Sequence, residues 1–95
     1  MSYIVQYFVA GDRVDAIASI RPMHRAYIER FQDQIQLTAL TFEDDGKTLH
    51  GAIFVLRVES RVEAKQFSAD DPYVQAGIFL NPLIARFEKR RGWID

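Results

Sequence analysis

Two short polar clusters hold the chemistry this chain offers: Arg21-Pro22-Met23-His24 and Asp70-Asp71-Pro72-Tyr73, the second followed at once by Val74-Gln75-Ala76-Gly77. Each sets a proline beside ionisable groups at what reads as a helix start, where proline's missing N–H costs nothing. Helix starts would hold an imidazole and a carboxylate rigidly, and a fold that brings them together makes a His24–Asp71 dyad. A neutral imidazole near pH 7 takes a proton from a substrate, while a carboxylate beside it fixes its tautomer and steadies the imidazolium that forms. The dipole at a helix's first turn disfavours the imidazolium, which suits His24 to the part of base. Arg21, a turn before His24, is placed to anchor a carboxylate, phenolate or enolate oxygen, and Tyr73 to donate a hydrogen bond to it. Together the four suit proton abstraction.

Each of these residues also has a structural role open to it. A histidine in a helix can simply hydrogen-bond, and an aspartate directly before a proline is an ordinary N-cap that leaves one oxygen free. Arg21 can cover apolar surface with its stem, and Tyr73 can be packed core. His50, beside a turn at the start of a strand, reads as a surface residue. Other chemistries find no support. The chain has no cysteine, which removes disulfides, thiol nucleophiles and thiolate metal sites. No second histidine approaches metal spacing, so no metal is expected. Gly46 and Gly51 do not open a helix after a strand and so make no phosphate loop, and no serine sits in an elbow motif. His24 is the one credible axial ligand for haem, with no second polar pocket group beside it. No cofactor is expected.

The elements that must position these groups belong to one domain, residues 1–95, nearly half of them apolar at 48%, enough for a single core. Twelve basic residues against thirteen acidic ones leave a net charge of −1, so no overall field favours nucleic acid or an anionic membrane. The run 88–91, Glu-Lys-Arg-Arg, lacks interleaved aromatics and reads as a solvated chain end. No segment approaches the roughly 20 apolar residues of a membrane span, and the opening lacks a basic leader and cleavage site. A cytoplasmic protein is the expectation.

Residues 3–9 are β-branched and aromatic and stop at Ala10-Gly11-Asp12, a first strand ending in a turn. Arg21 precedes a proline, which biases it away from the helical region, so the main helix is expected over 22–34. Its apolar positions Ile28, Phe31 and Ile35 form a stripe that runs back onto His24 and Arg21, pointing both inward. Residues 37–42 and 51–58 read as an antiparallel hairpin about Asp45-Gly46. Ser60 and Glu63 match a capping box for a brief second helix, Asp71-Pro72 restarts a turn that ends at Gly77, and 78–90 supplies a last strand interrupted at Asn81-Pro82. The order βαββαβ is that of a ferredoxin-like α+β sandwich, with helices on one face of a four-stranded antiparallel sheet. The other face needs a cover as well, because Ile4 and Phe8 oppose Tyr3, Val5, Tyr7 and Val9 across the first strand. A second copy is the expected lid, giving a homodimer whose sheets pack face to face, with further assembly left open.

Arg21-Pro22-x-His24, the glycines Gly46 and Gly51 about the hairpin, and Asp71-Pro72-Tyr73 with Ala76-Gly77 resemble the YCII-related family over nearly the whole chain. The resemblance implies a dimeric ferredoxin-like α+β barrel, with the family's histidine at His24 and its aspartate at Asp71 as a catalytic pair in a pocket. The family includes a dehydrochlorinase of a chlorinated hydroxyhydroquinone, and the barrel is similar to that of muconolactone isomerase. Cofactor-free proton transfer on a small cyclic or aromatic compound is therefore the implied chemistry. Where many members have Ala-Gly-Pro this chain has Thr38-Ala39-Leu40, a departure that bears on the substrate. Tyr7, Phe8 and Phe54 are the aromatic candidates for the pocket wall. Two readings follow: a lyase or isomerase using His24, Asp71, Arg21 and Tyr73, or a noncatalytic dimeric module that binds a small molecule or a protein through the same pocket.

Overall fold

The computed structural model describes residues 1–93 as a four-stranded antiparallel sheet with helices on one face. Strand β1 (Ser2–Val9) leads through a 3-10 turn (Gly11–Ala16) into helix α1 (Ile17–Glu29). Strands β2 (Ile35–Phe42) and β3 (Leu49–Arg57) form the hairpin, whose turn is fixed by Asp45 Oδ1 accepting from the backbone N–H groups of Lys47 and Thr48, both at 2.8 Å. Helix α2 (Arg61–Asp70), the single-turn helix α3 (Pro72–Gln75) and strand β4 (Phe79–Phe87) complete the chain. The sheet order is β2-β3-β1-β4, so the expected ferredoxin-like α+β fold is the one observed.

The alternation of β1 sorts its side chains. Tyr3, Val5 and Tyr7 are buried against Ala52, Phe54 and Leu56 of β3 and against Tyr27, Ala64 and Phe67 of the helices. Ile4 and Phe8 take the opposite face, where Phe8 is 48% exposed and the β4 neighbour of Gln6, Leu83, is 55% exposed.

Several boundaries differ from expectation, β2 and β3 each starting two residues early at Ile35 and Leu49. Helix α1 starts five residues before Pro22 and ends at Glu29, not at 34. The 3-10 turn delivers the chain to Ile17 already helical, and Pro22 then forfeits only the bond to the carbonyl of Ala18, an exposed residue whose carbonyl water can satisfy. Beyond Arg30 the chain continues in tight turns, with Phe31 donating to Ile28 and Gln34 to Phe31, which keeps the apolar stripe without an α-helix. Strand β4 stops at Phe87, and the run 88–91 is exposed. The expected interruption is present: Asn81 adopts φ 53° and the β1–β4 register slips between Gln6 and Phe8, a bulge that seats Pro82 on an edge strand. At Glu63 the box is shifted by one, since its backbone N–H donates to Ser60 Oγ at 3.3 Å while its carboxylate accepts from Glu59 rather than Ser60, at 3.0 Å.

Gly51 is required by close approach, because a Cβ there would lie 2.1 Å from the Tyr7 carbonyl oxygen. Gly51→Ala is expected to destabilise the domain by about 1–3 kcal/mol, a Tm drop of at least about 4 °C, whereas Gly11→Ala, with open space around it, changes Tm little. Thermal denaturation of the two variants checks this.

Candidate active site

His24 is the eighth residue of α1, in mid-helix rather than at an N-terminus, so the dipole argument for its protonation state does not apply. What holds it is Asp71, 47 positions away, whose Oδ1 lies 2.8 Å from His24 Nδ1. An ionised carboxylate only accepts, so with Asp71 as the acceptor the donor is an Nδ1–H, and Nε2 is then the ring nitrogen left over. The same Oδ1 accepts the Tyr73 backbone N–H at 2.9 Å and so caps α3. Asp71 is fully buried, and its Oδ2 has no hydrogen-bond partner among the described residues.

The short helix that carries Asp71 is fixed at both ends. Pro72 occupies its first position, Gly77 closes it at φ 72°, and the Ile78 N–H returns to the Tyr73 carbonyl at 2.9 Å. The Arg13 guanidinium clamps the Ala76 carbonyl with Nε at 3.2 Å and an Nη at 2.8 Å.

Aromatic rings complete the setting of the imidazole. Tyr73 stacks on His24 with centroids 3.9 Å apart and planes 17° from parallel, while Phe54 and Phe79 meet it edge-on. Behind Asp71, Tyr7 donates to Ser68 Oγ at 2.8 Å and Tyr27 donates to the Phe67 carbonyl at 2.9 Å. Burial pushes the Tyr7 phenol well above its usual value, with the charge of Asp71 adding to the effect against the Ser68 hydrogen bond. Burial likewise pushes Tyr27 up to about 12, assisted by Asp70 and Asp71. Both hydroxyls stay protonated donors at physiological pH.

His24 and Tyr73 stand on the wall of a cleft of about 750 Å³ between α1 and the β2–β3 half of the sheet. Its volume suits a small ring compound. Ala52, Phe54 and Phe79 supply apolar wall, and Arg21, exposed at the helix surface, lines the same cleft. All four residues singled out in the sequence therefore border or support one site. Thr38, Ala39 and Leu40, the departure from the family pattern, line it as well. Of the three aromatic candidates, Phe54 lines the cleft, Tyr7 is core behind it, and Phe8 lies on the opposite sheet face. His50 is half-buried, not a surface residue, with Nδ1 3.1 Å from Thr41 Oγ1 and its ring edge-on to Phe8. Sequence reasoning missed Arg25 and Glu29, which line the cleft from α1, and Gln32, which lines it from the turns just after; the signal was there in their spacing of four and eight from Arg21 and of four from Ile28. Among the described residues no cluster of histidine and acidic side chains is arranged to hold a metal, and no helix is long and apolar enough to cross a membrane.

The model of the YCII-related domain matches residues 1–88. The chain belongs to the YCII-related family. No curated protein matches this YCII-related chain. Among solved structures, it is similar to the 5-chloro-2-hydroxyhydroquinone dehydrochlorinase of Burkholderia phenoliruptrix AC1100 in complex with 2,5-dihydroxybenzoquinone, with TM-score 0.81 and 23% identity over 93% of this chain and 94% of that one. It is also similar to a protein of Nitrosomonas europaea assigned provisionally to the antibiotic biosynthesis monooxygenases, with TM-score 0.52 and 16% identity over 96% and 92% of the two chains. These likenesses fix the fold of the YCII-related domain.

Asp71 joins α1 to α3 and caps α3, and the two roles separate by substitution. Asp71→Ala is expected to cost about 1–3 kcal/mol, and Asp71→Ser, which can still accept from Tyr73, to recover roughly 1 kcal/mol of it. Urea unfolding of the two variants measures the difference.

Proposed function

We propose that this YCII-related protein is a cofactor-independent enzyme of lyase or isomerase type that abstracts a proton from a small cyclic or aromatic substrate. The observation that carries this reading is the 2.8 Å contact from His24 Nδ1 to the buried Asp71 carboxylate, made at the wall of an apolar cleft large enough for a ring. With Nδ1 committed to Asp71, His24 Nε2 is the base. It takes a proton from a hydroxyl or an acidic carbon, and the electron pair left behind spreads onto a substrate oxygen. Arg21 holds that oxygen as it gains charge. In an isomerisation the imidazolium returns the proton to a second atom of the ring. In an elimination a leaving group departs with its bonding pair and the imidazolium releases the proton to water.

Asp71 assists because its charge is buried and its Oδ2 unpartnered, so a cation formed on the adjacent ring is stabilised more than it would be in water. Tyr73 holds the imidazole plane by stacking and is the second donor proposed for the substrate oxygen. The neighbour that acts on a chlorinated hydroxyhydroquinone, and was solved with a dihydroxybenzoquinone, supports this substrate class. The binding-module reading draws on one observation, the Tyr73 N–H accepted by Asp71, since a cap alone would explain the carboxylate.

Incubation in deuterated water with a set of hydroxylated cyclic compounds, 5-chloro-2-hydroxyhydroquinone among them, separates the two. Wild-type protein is expected to speed ring-proton exchange or chloride release, and His24→Gln to lower the rate about 10²-fold or more with the fold intact. Equal rates in both proteins would leave only the binding module.

We propose further that the apolar sheet face bearing Ile4, Phe8 and Leu83 is covered by a second copy, as in the dimeric α+β barrels. Sedimentation is expected to give twice the 11.0 kDa of the chain, and Leu83→Asp, which places a charge on that face, to shift the species toward monomer.

A further inference from the structure

The charged residues of α1 that line the cleft are ordered along it. Arg21 and Arg25 stand at the end that holds His24, Glu29 follows one turn further on at the last residue of α1, and the neutral Gln32 lies beyond it in the turns after the helix. Arg25 and Glu29 are four residues apart, about 6 Å along a helix axis, and Arg21 and Glu29 about 12 Å. Among the described residues none of the three charged side chains has an ion pair or a hydrogen bond. Two adjacent guanidinium groups repel one another slightly on a helix, and here no carboxylate neutralises them. Glu29 is spaced to pair with Arg25 but does not. Apolar residues of the sheet and α1, among them Phe54, Ala52 and Ile28, form much of the remaining wall, so the charges that line the cleft are these helix residues, with the Asp71 carboxylate behind His24.

Resting on the reading of this cleft as a substrate pocket, we infer that it sorts ring compounds by where their charge lies. Arg25 joins Arg21 in binding an anionic group beside His24, and Glu29 rejects a second anionic group at the far end while accepting a hydrogen bond from a neutral hydroxyl there. The substrate class is a planar ring with acid character at one pole and an un-ionised hydroxyl at the other. Arg25 and Glu29 are specificity-determining residues: neither moves the proton, and both decide which molecule is presented to the base and in which direction.

Two simple acids probe this directly: 4-hydroxybenzoate, charged at one end, and terephthalate, charged at both. Affinities are read by calorimetry or from the shift of the His24 ring signals. Wild-type protein is expected to bind 4-hydroxybenzoate tighter than terephthalate by about fivefold. Glu29→Gln brings the ratio close to one by improving terephthalate alone, and Arg25→Gln weakens both acids. The inference is overturned if terephthalate binds as well as 4-hydroxybenzoate in the wild type, if Glu29→Gln leaves the ratio unchanged, if Arg25→Gln affects neither acid, or if neither acid binds saturably. The readout is affinity, so its failure does not touch proton abstraction, which the rates of His24→Gln decide separately.

Discussion

One carboxylate oxygen organises this molecule's site. Asp71 Oδ1 is shared by the Tyr73 N–H of a one-turn helix and by an imidazole from a helix 47 residues earlier. Neither partner alone would justify a fully buried acid with one oxygen unpartnered. The surroundings meet that requirement. Pro72, Gly77 and the Arg13 clamp set the short helix so that Asp71 is both its cap and the neighbour of α1. Tyr73, one residue inside the cap, lies against the imidazole face, so the backbone that receives the carboxylate also carries the ring that fixes the histidine plane.

The cleft follows from how little helix there is to cover four strands. Helix α2 packs over β1 and β4, and α3 is a single turn beside α1. The β2–β3 half of the sheet is left facing α1 across open space, lined by Thr38, Leu40, Ala52 and Phe54. A helix that borders such a space need not be apolar along that face, and α1 is not: it presents isoleucines interrupted by Arg21, His24, Arg25 and Glu29. The residues that weaken α1 as a core helix are the ones that give the cleft its chemistry. The outer face of the sheet has the opposite character, with apolar side chains such as Phe8 and Leu83 and, among the described residues, no element over it.

The parts of this arrangement that obey local rules could be read from residue order. The alternation in β1, the Asp45-Gly46 turn, the Asp71-Pro72 cap and the stop at Gly77 each depend on neighbours a few positions away. The two prolines show where such reading fails. Pro72 begins a helix as expected, but Pro22 sits inside one, because the 3-10 turn upstream had already set the helical path and only one exposed carbonyl was left without its donor. Position before a proline is a bias, and a tertiary frame overrides it. The meeting of His24 with Asp71 is a different case. No local rule joins residues 47 apart: the two clusters offered the pair only on condition that the fold brought them together, and the likeness to a family was what spoke for that condition. Arg25, Glu29 and Gln32 lay on a stripe already noticed, yet a charged residue on a helix ordinarily faces water, and only the cleft gives these an inward role.

The claim on which the account turns is that the Asp71 carboxylate holds the proton of His24 on Nδ1 and leaves Nε2 bare. Long-range proton–nitrogen correlation on labelled protein, recorded at a pH where the ring is neutral, reads the tautomer of each imidazole, and His50 serves as the internal comparison. The account requires the Nδ1–H form for His24 in the wild type, reverting toward the Nε2–H form in Asp71→Ser, which keeps the cap but does not reach the ring. An Nε2–H tautomer in the wild type, or the same tautomer in both proteins, would contradict it.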